Sequence, residues 1–250
     1  MPDSQSQRDL LRVVLVSPRN PLNIGAAARA MANFRFERLA VVAPYAPNWR
    51  EARSAVGAPD LLQNAKSAER LADAVAGCTL VAGTATLARR KPEQHVVALP
   101  ALAPLVEREI ARGGRVALVF GSEKRGLTGD DLALCHLLVE IPADPRQPSM
   151  NLGQAVAVCL YELSTRAFSP EGRPQKSTAR KPDATAASGT LELLAGLIDQ
   201  TMIAARYSPA AMREANRRDL RLLLRRLALS ERDTRRVLGL FRRILWRLGH

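Results

Sequence analysis

Three short polar clusters hold the side chains best suited to chemistry. They are Asn23-Ile24-Gly25-Ala26-Ala27-Ala28-Arg29, Phe120-Gly121-Ser122-Glu123-Lys124-Arg125-Gly126-Leu127 and Pro148-Ser149-Met150-Asn151-Leu152-Gly153. Each sets amide, hydroxyl, carboxylate or guanidinium groups beside a glycine, where an apolar run gives way to a turn or helix. In α/β proteins that edge is where ligands bind. The common nucleotide and hydrolase solutions do not fit. A P-loop needs Gly-Lys-Ser/Thr after a strand. A dinucleotide fingerprint needs three spaced glycines after the first strand, where this chain offers only Gly25. The G-x-S-x-G elbow of serine hydrolases is absent. What remains is a site made largely of backbone groups near Gly83, Gly121 and Ile141–Asn151. Such a site suits a neutral or zwitterionic ligand with an adenine edge to pair.

The elements that must position these clusters are legible as apolar runs. Val13-Val14-Leu15-Val16, Leu39-Ala40-Val41-Val42, Thr79-Leu80-Val81-Ala82, Val116 to Phe120 and Leu137 to Ile141 read as buried strands. Between them lie helical stretches: Asn23 to Phe34 with Asn23 as N-cap, Lys66 to Ala76, Pro100 to Arg112, and Asn151 to Arg166. The alternation predicts an α/β domain with a mostly parallel sheet. Composition changes at Ser169, and residues 169–189 have linker chemistry, rich in Pro, Ser, Thr, Lys and Ala. The rest reads as helical. Ser208-Pro209 and Ser230-Glu231-Arg232-Asp233 are start signals. Leu220, Leu223, Leu224 and Leu227 then follow helical spacing, as do Leu238, Phe241, Leu245 and Leu248, with arginines between them.

The 250 residues are 47% apolar but only 4% aromatic, so the core is built mainly from Ala, Val and Leu. A net charge of +13 points to a polyanionic partner. The excess is uneven. Residues 1–160 carry 19 basic against 15 acidic residues, whereas 191–250 carry 13 Arg, no Lys and 6 acids. Arginine without lysine suits bidentate phosphate contacts, although a solvated or dimer-packing face is the plainer alternative. Cys78, Cys135 and Cys159 form no C-x-x-C, and His95, His136 and His250 have no metal-ligand spacing with them. The polar start and the absence of any run of about 20 apolar residues predict a soluble, cytoplasmic protein.

In order and spacing, the three clusters resemble the signature motifs of the SpoU branch of the SPOUT methyltransferases. The N-x-G-x-x-x-R motif falls at Asn23, Gly25 and Arg29, the G-x-E-x-x-G-L motif at Gly121, Glu123, Gly126 and Leu127, and the S-x-N-L motif at Ser149, Asn151 and Leu152. The resemblance covers residues 11–166. Val81-Ala82-Gly83-Thr84, Cys135-His136 and the helical C-terminal extension are similar to the TrmJ subgroup. That resemblance implies an α/β SPOUT fold: parallel sheet, helices on both faces, a C-terminal trefoil knot, and a small all-α extension. It implies a methyltransferase domain over 1–168, a linker over 169–189 and a basic helical extension over 190–250. It implies ribose 2′-O-methylation of RNA, foremost tRNA at anticodon-loop position 32, by a homodimer using S-adenosylmethionine. Cofactor contacts would fall at Thr84, Ala85, Thr86, Gly121, Ile141, Pro148, Ser149 and Met150. Catalytic positions would be Arg29, Asn23, Glu123, Ser149 and Asn151, with Glu123 able to fix the Arg29 fork. Arg89, Arg90, Lys91, Arg217, Arg221 and Arg225 would contact RNA. Methylation of rRNA, or RNA binding without catalysis, are the alternatives. Read singly, Asn23 and Ser149 could also be helix caps, Arg29 a surface residue and Glu123 a solvated turn residue.

Overall fold

The computed structural model describes residues 4–85, 92–168, 184–207 and 209–249. Among these, seven parallel strands form one sheet of order β3-β2-β1-β6-β4-β7-β5. They are β1 (Leu11–Val16), β2 (Arg38–Val42), β3 (Lys66–Ala68), β4 (Leu80–Thr84), β5 (His95–Ala98), β6 (Val116–Phe120) and β7 (Leu137–Glu140). Continuous apolar runs make the inner strands because both faces are covered. Leu11, Val13 and Leu15 of β1 point to one core with Leu118 and Phe120 of β6. Val14 and Val16 point to the other, with Ala117 and Val119. The first core is covered by α2 (Pro21–Asn33), α5 (Ala103–Ala111) and α7 (Leu152–Arg166), the second by α4 (Leu71–Val75). The short helices α1 (Ser4–Arg8), α3 (Pro59–Gln63) and α6 (Gly129–Leu132) fill connections.

Three local readings are corrected. The stretch Lys66 to Ala76 begins as strand β3, and only Leu71–Val75 is helical. Two strands, β3 and β5, add to the expected five. The N-cap of α2 is Asn20, whose side chain accepts from the Leu22 N–H, with Pro21 in the first turn. Proline is favoured there because its missing N–H is one that the helix cannot use. Asn23 is thereby freed for another task.

The parallel register sets the functional edge. Leu15 pairs with Phe120, Gly83 with Val119 and Thr84 with Val139. The loops leaving β1, β4, β6 and β7 therefore emerge side by side at the C-terminal edge. This is where the strand order departs in opposite directions from β1 and ligands bind in open α/β sheets.

Three further helices follow: α8 (Ser188–Ala204), α9 (Arg213–Arg226) and α10 (Glu231–Leu248). They share a small core of Leu194, Ala195, Ile198 and Leu224, with Val237, Leu238 and Phe241 packed against it. Ser230 caps α10 as its sequence predicts, accepting from the Asp233 N–H at 3.1 Å. Ser208, the other expected cap, lies outside the described residues. The start of α8 is tied to the sheet domain: the Ser188 and Gly189 N–H groups donate to the carbonyls of Cys78 and Ala76 at 2.7 and 2.8 Å.

Candidate active site

The three clusters meet through one chain of hydrogen bonds. Glu123, in the loop after β6, receives the Arg19 N–H at 2.9 Å, the Asn20 N–H at 3.1 Å and the Asn23 amide at 2.8 Å. The Asn23 oxygen then accepts from the Asn151 amide at 3.0 Å. The Asn151 oxygen caps α7, accepting from the Gly153 N–H at 2.9 Å and the Gln154 N–H at 3.4 Å. An amide can donate and accept at once, so Asn23 and Asn151 relay in one direction from the carboxylate to a helix N-terminus. Partial burial pushes the Glu123 carboxyl upward, but the bonds from Asn23, Arg19 and Asn20 outweigh it. The group titrates below its ordinary range and stays ionised.

Beside this network lies a cavity of about 530 Å³. Thr84, Ala85, Gly121, Ile141, Pro148 to Met150 and Leu127 are on its wall, so every described residue expected at the cofactor lines it. Thr86 lies outside the described residues, as do Arg89, Arg90 and Lys91. Leu127 of the second motif and Pro142 and Pro145 of the Ile141–Asn151 stretch share that wall. The loop is drawn tight by the Gly126 N–H, which donates to the Ser122 carbonyl at 2.8 Å. A Cβ on Gly121 would overlap the Gly126 carbonyl carbon and the Leu127 nitrogen, so only glycine lets the loop close here. Gly25 is required for a different approach: a Cβ there would overlap the Ser54 hydroxyl that α2 packs against.

Arg29 is placed otherwise than expected. It is exposed on α2, does not line the cavity, and makes no hydrogen bond or ion pair with any described residue. Glu123 does not hold its fork, because that carboxylate is occupied by Asn23 and two backbone N–H groups. Ser149 lines the cavity, while the capping role belongs to Asn151.

Residues 10–161 match the model of the SpoU rRNA Methylase family. The chain belongs to that family. Its relatives within the SpoU family include the tRNA (cytidine/uridine/adenosine-2′-O-)-methyltransferase TrmJ of Pseudomonas aeruginosa. That protein is 36% identical over 201 residues, 78% of each chain. The tRNA (cytidine/uridine-2′-O-)-methyltransferase TrmJ of Citrobacter koseri is 32% identical over 240 residues, 94% of each chain. The crystal structure of TrmJ from Z. mobilis superposes with a TM-score of 0.80 at 29% identity, covering 93% of this chain and 98% of the other.

Against this SpoU fold, the tail arginines need correction. Arg225 is buried at 3% exposure. Its guanidinium donates to the Leu134 carbonyl at 2.9 Å, the Arg221 carbonyl at 3.2 Å, the Ser188 hydroxyl at 3.3 Å and Glu192 at 3.0 Å. It cannot reach a phosphate, and the burial that lowers its pKa is countered by Glu192. Arg221 pairs with Glu192 at 2.8 Å and Arg217 with Asp199 at 2.9 Å. Arg217, Arg221 and Arg225 thus hold α9 to α8, and Arg218 ties α9 to Asp130 of α6 at 2.9 Å. Cys135 and His136 are structural: burial pushes the Cys135 thiol up to about 12 and the His136 imidazole down to about 3. The neutral ring accepts the Val81 N–H at 3.0 Å.

Proposed function

We propose that this SpoU family member transfers a methyl group from S-adenosylmethionine to a ribose 2′-hydroxyl of tRNA, at position 32 of the anticodon loop. The observation that carries the reading is the convergence of all three motifs on one network, Glu123–Asn23–Asn151, beside the cavity. The TrmJ relatives act on the tRNA 2′-hydroxyl by name, and this chain matches the Citrobacter koseri protein over nearly its whole length.

The cavity fits the cofactor by size and lining. Its volume is within the roughly 300–1,000 Å³ of small-molecule sites. Its wall offers backbone groups of Gly121, Ile141 and Met150 for a purine edge, and Leu127 and Ile141 as apolar surface. When bound, S-adenosylmethionine supplies the methyl group as an electrophile. This chain supplies position and charge. The relay from Glu123 to Asn151 fixes the β1–α2 loop, the β6 loop and the α7 N-terminus relative to one another, so the wall is preorganised. Arg29 brings a planar cationic fork of N–H donors with no acceptor. Its role is therefore to neutralise charge developing on the 2′-oxygen and to orient the neighbouring phosphate. No carboxylate among the described residues pairs with it.

The same proposal includes a homodimer, a trefoil knot and a cytoplasmic location. Leu22, Val158 and Tyr161 are exposed at 55, 38 and 57% on α2 and α7, and a second copy would cover them. Strand β7 lies between β4 and β5, as threading beneath the β4–β5 connection requires. The division at 168 is supported by Phe168, which closes the first core, whereas the extension opens earlier than 190, with Thr185 bridged to Ser230, Ala186 buried and α8 starting at Ser188. No described helix is long and apolar enough to cross a membrane.

The test is incubation of the purified protein with labelled S-adenosylmethionine and tRNA or rRNA transcripts, with methylated nucleosides mapped by mass spectrometry. A 2′-O-methyl mark at tRNA position 32 is expected. Transfer confined to rRNA, or cofactor binding with no transfer to any RNA, would overturn the proposal.

A further inference from the structure

With Arg217, Arg218, Arg221 and Arg225 of α9 held in ion pairs, the densest run of exposed positive charge in the extension lies on α10. This helix carries six arginines, at 232, 235, 236, 242, 243 and 247, against Glu231 and Asp233. At about 100° per residue, all six fall with Trp246 in one arc of roughly 140°. Val237, Leu238 and Phe241, on the opposite side, pack against the α8 core. All six arginines are exposed, and Trp246 is 60% exposed. The Arg247 guanidinium stands 5.8 Å from the Trp246 ring centroid. Arg235 and Arg236 make long pairs with Glu231 and Asp233, at 3.4 and 3.5 Å. Arg232, Arg242 and Arg243 make no hydrogen bond or ion pair with any described residue. A cleft of about 340 Å³ lined by Ala184, Glu231, Arg232 and Arg235 opens at the start of this face.

We infer that the outer face of α10 is the surface on which the RNA substrate docks through an unpaired segment. The arginines contact successive phosphates and Trp246 stacks on a splayed base. This rests on the reading of the substrate as RNA. The chemistry favours a single strand over a duplex, because the exposed Trp246 ring beside the Arg247 guanidinium offers a stacking face that bases paired within a helix cannot use. It favours RNA over a lipid surface, because the arc carries six arginines around one ring, while the exposed Leu240, Ile244 and Leu248 lie to one side of it. Arginine in place of lysine adds bidentate phosphate geometry.

The experiment measures binding of the full-length protein to a tRNA transcript by fluorescence anisotropy across salt concentrations, with methyl transfer followed in parallel. Trp246→Ala is expected to weaken binding about tenfold at unchanged salt slope, and Trp246→Phe to retain most of the affinity. The triple variant Arg232→Gln, Arg242→Gln, Arg243→Gln should reduce the slope of log K against log salt by about 2–3, from three lost phosphate contacts. Arg226→Gln on α9 is the single-charge control and should change that slope by less than one. In Trp246→Ala and the triple arginine variant KM for tRNA should rise while kcat at saturating tRNA holds, and in no variant should the thermal transition move. Wild-type binding and slope in both α10 variants, with the wild type itself methylating tRNA, would overturn the inference and leave the proposed function standing. So would loss of binding to anionic vesicles with tRNA affinity intact. Absence of tRNA binding and transfer by the wild type would instead remove the function on which the inference rests.

Discussion

Replacing Asn23 by aspartate tests the Glu123 relay at a single atom. The Asn23 nitrogen donates to the Glu123 carboxylate at 2.8 Å, while its oxygen accepts from Asn151. Aspartate keeps the shape and the bond from Asn151 but sets a second carboxylate oxygen against the first. A lost hydrogen bond to a charged group is about 1.5–3 kcal/mol. Two unit charges about 3–4 Å apart repel by about 1–5 kcal/mol between bulk-water and surface dielectrics. Glu123 is exposed, so solvent screening holds both figures to their lower ends. The expected loss at pH 8 is about 2–3 kcal/mol. The pair must share a proton to relieve it, so a carboxyl of the folded variant has a raised pKa. The variant's stability is therefore fully present below the unfolded carboxyl range, about pH 4, and falls as pH rises through the raised value. Wild-type Glu123 behaves oppositely: its pKa is lowered, so its contribution is present above the carboxyl range and fades as pH falls through the folded value. Urea unfolding of both proteins from pH 4.5 to 8 should show a gap that widens with pH, while Asn23→Ala gives a gap that stays level. A variant as stable as wild type at pH 8, or a gap that does not close on acidification, refutes the relay.

Arg225→Met should cost about 2–4 kcal/mol in urea unfolding, toward the lower end for removing one partner of a buried pair because Glu192 keeps Arg221; adding Glu192→Gln should cost less than the sum of the two singles. Gly121→Ala should abolish S-adenosylmethionine binding by calorimetry with the circular dichroism spectrum retained, since its Cβ meets backbone that cannot yield. Arg29→Ala should lower kcat about 10²–10³-fold with cofactor affinity unchanged, and Arg29→Lys should recover only part of that rate.

Much of the fold could be read from the chain because β1, β2, β4, β6 and β7 are covered on both faces and so appear as unbroken apolar runs. The outer strands β3 and β5 escaped that reading. They have only three and four residues, and the sequence Lys66-Ser67-Ala68 is mostly exposed. The motif residues were legible, but their partners were not. Which asparagine caps α2 depends on Pro21, and the capture of Glu123 by the Arg19 and Asn20 N–H groups is a backbone event with no side-chain signature. Periodicity also misread α9. An arginine between leucines looks solvated, yet Arg225 turns inward because the Leu134 carbonyl, Ser188 and Glu192 satisfy it there.

The anchoring of the C-terminal helices bears on how the tail should be studied. Ser188 and Gly189 grip the chain just before β4, and Arg225 grips Leu134 just before β7. These are the back ends of the two strands whose front ends carry Thr84 and Ile141 to the cofactor wall. The extension therefore acts as a brace across the rear of the pocket as well as a handle for the substrate. Deleting it would cut both connections at once, so a truncated protein that fails to methylate says nothing about which was lost. Substitutions confined to the outer face of α10 leave the brace in place and isolate the handle.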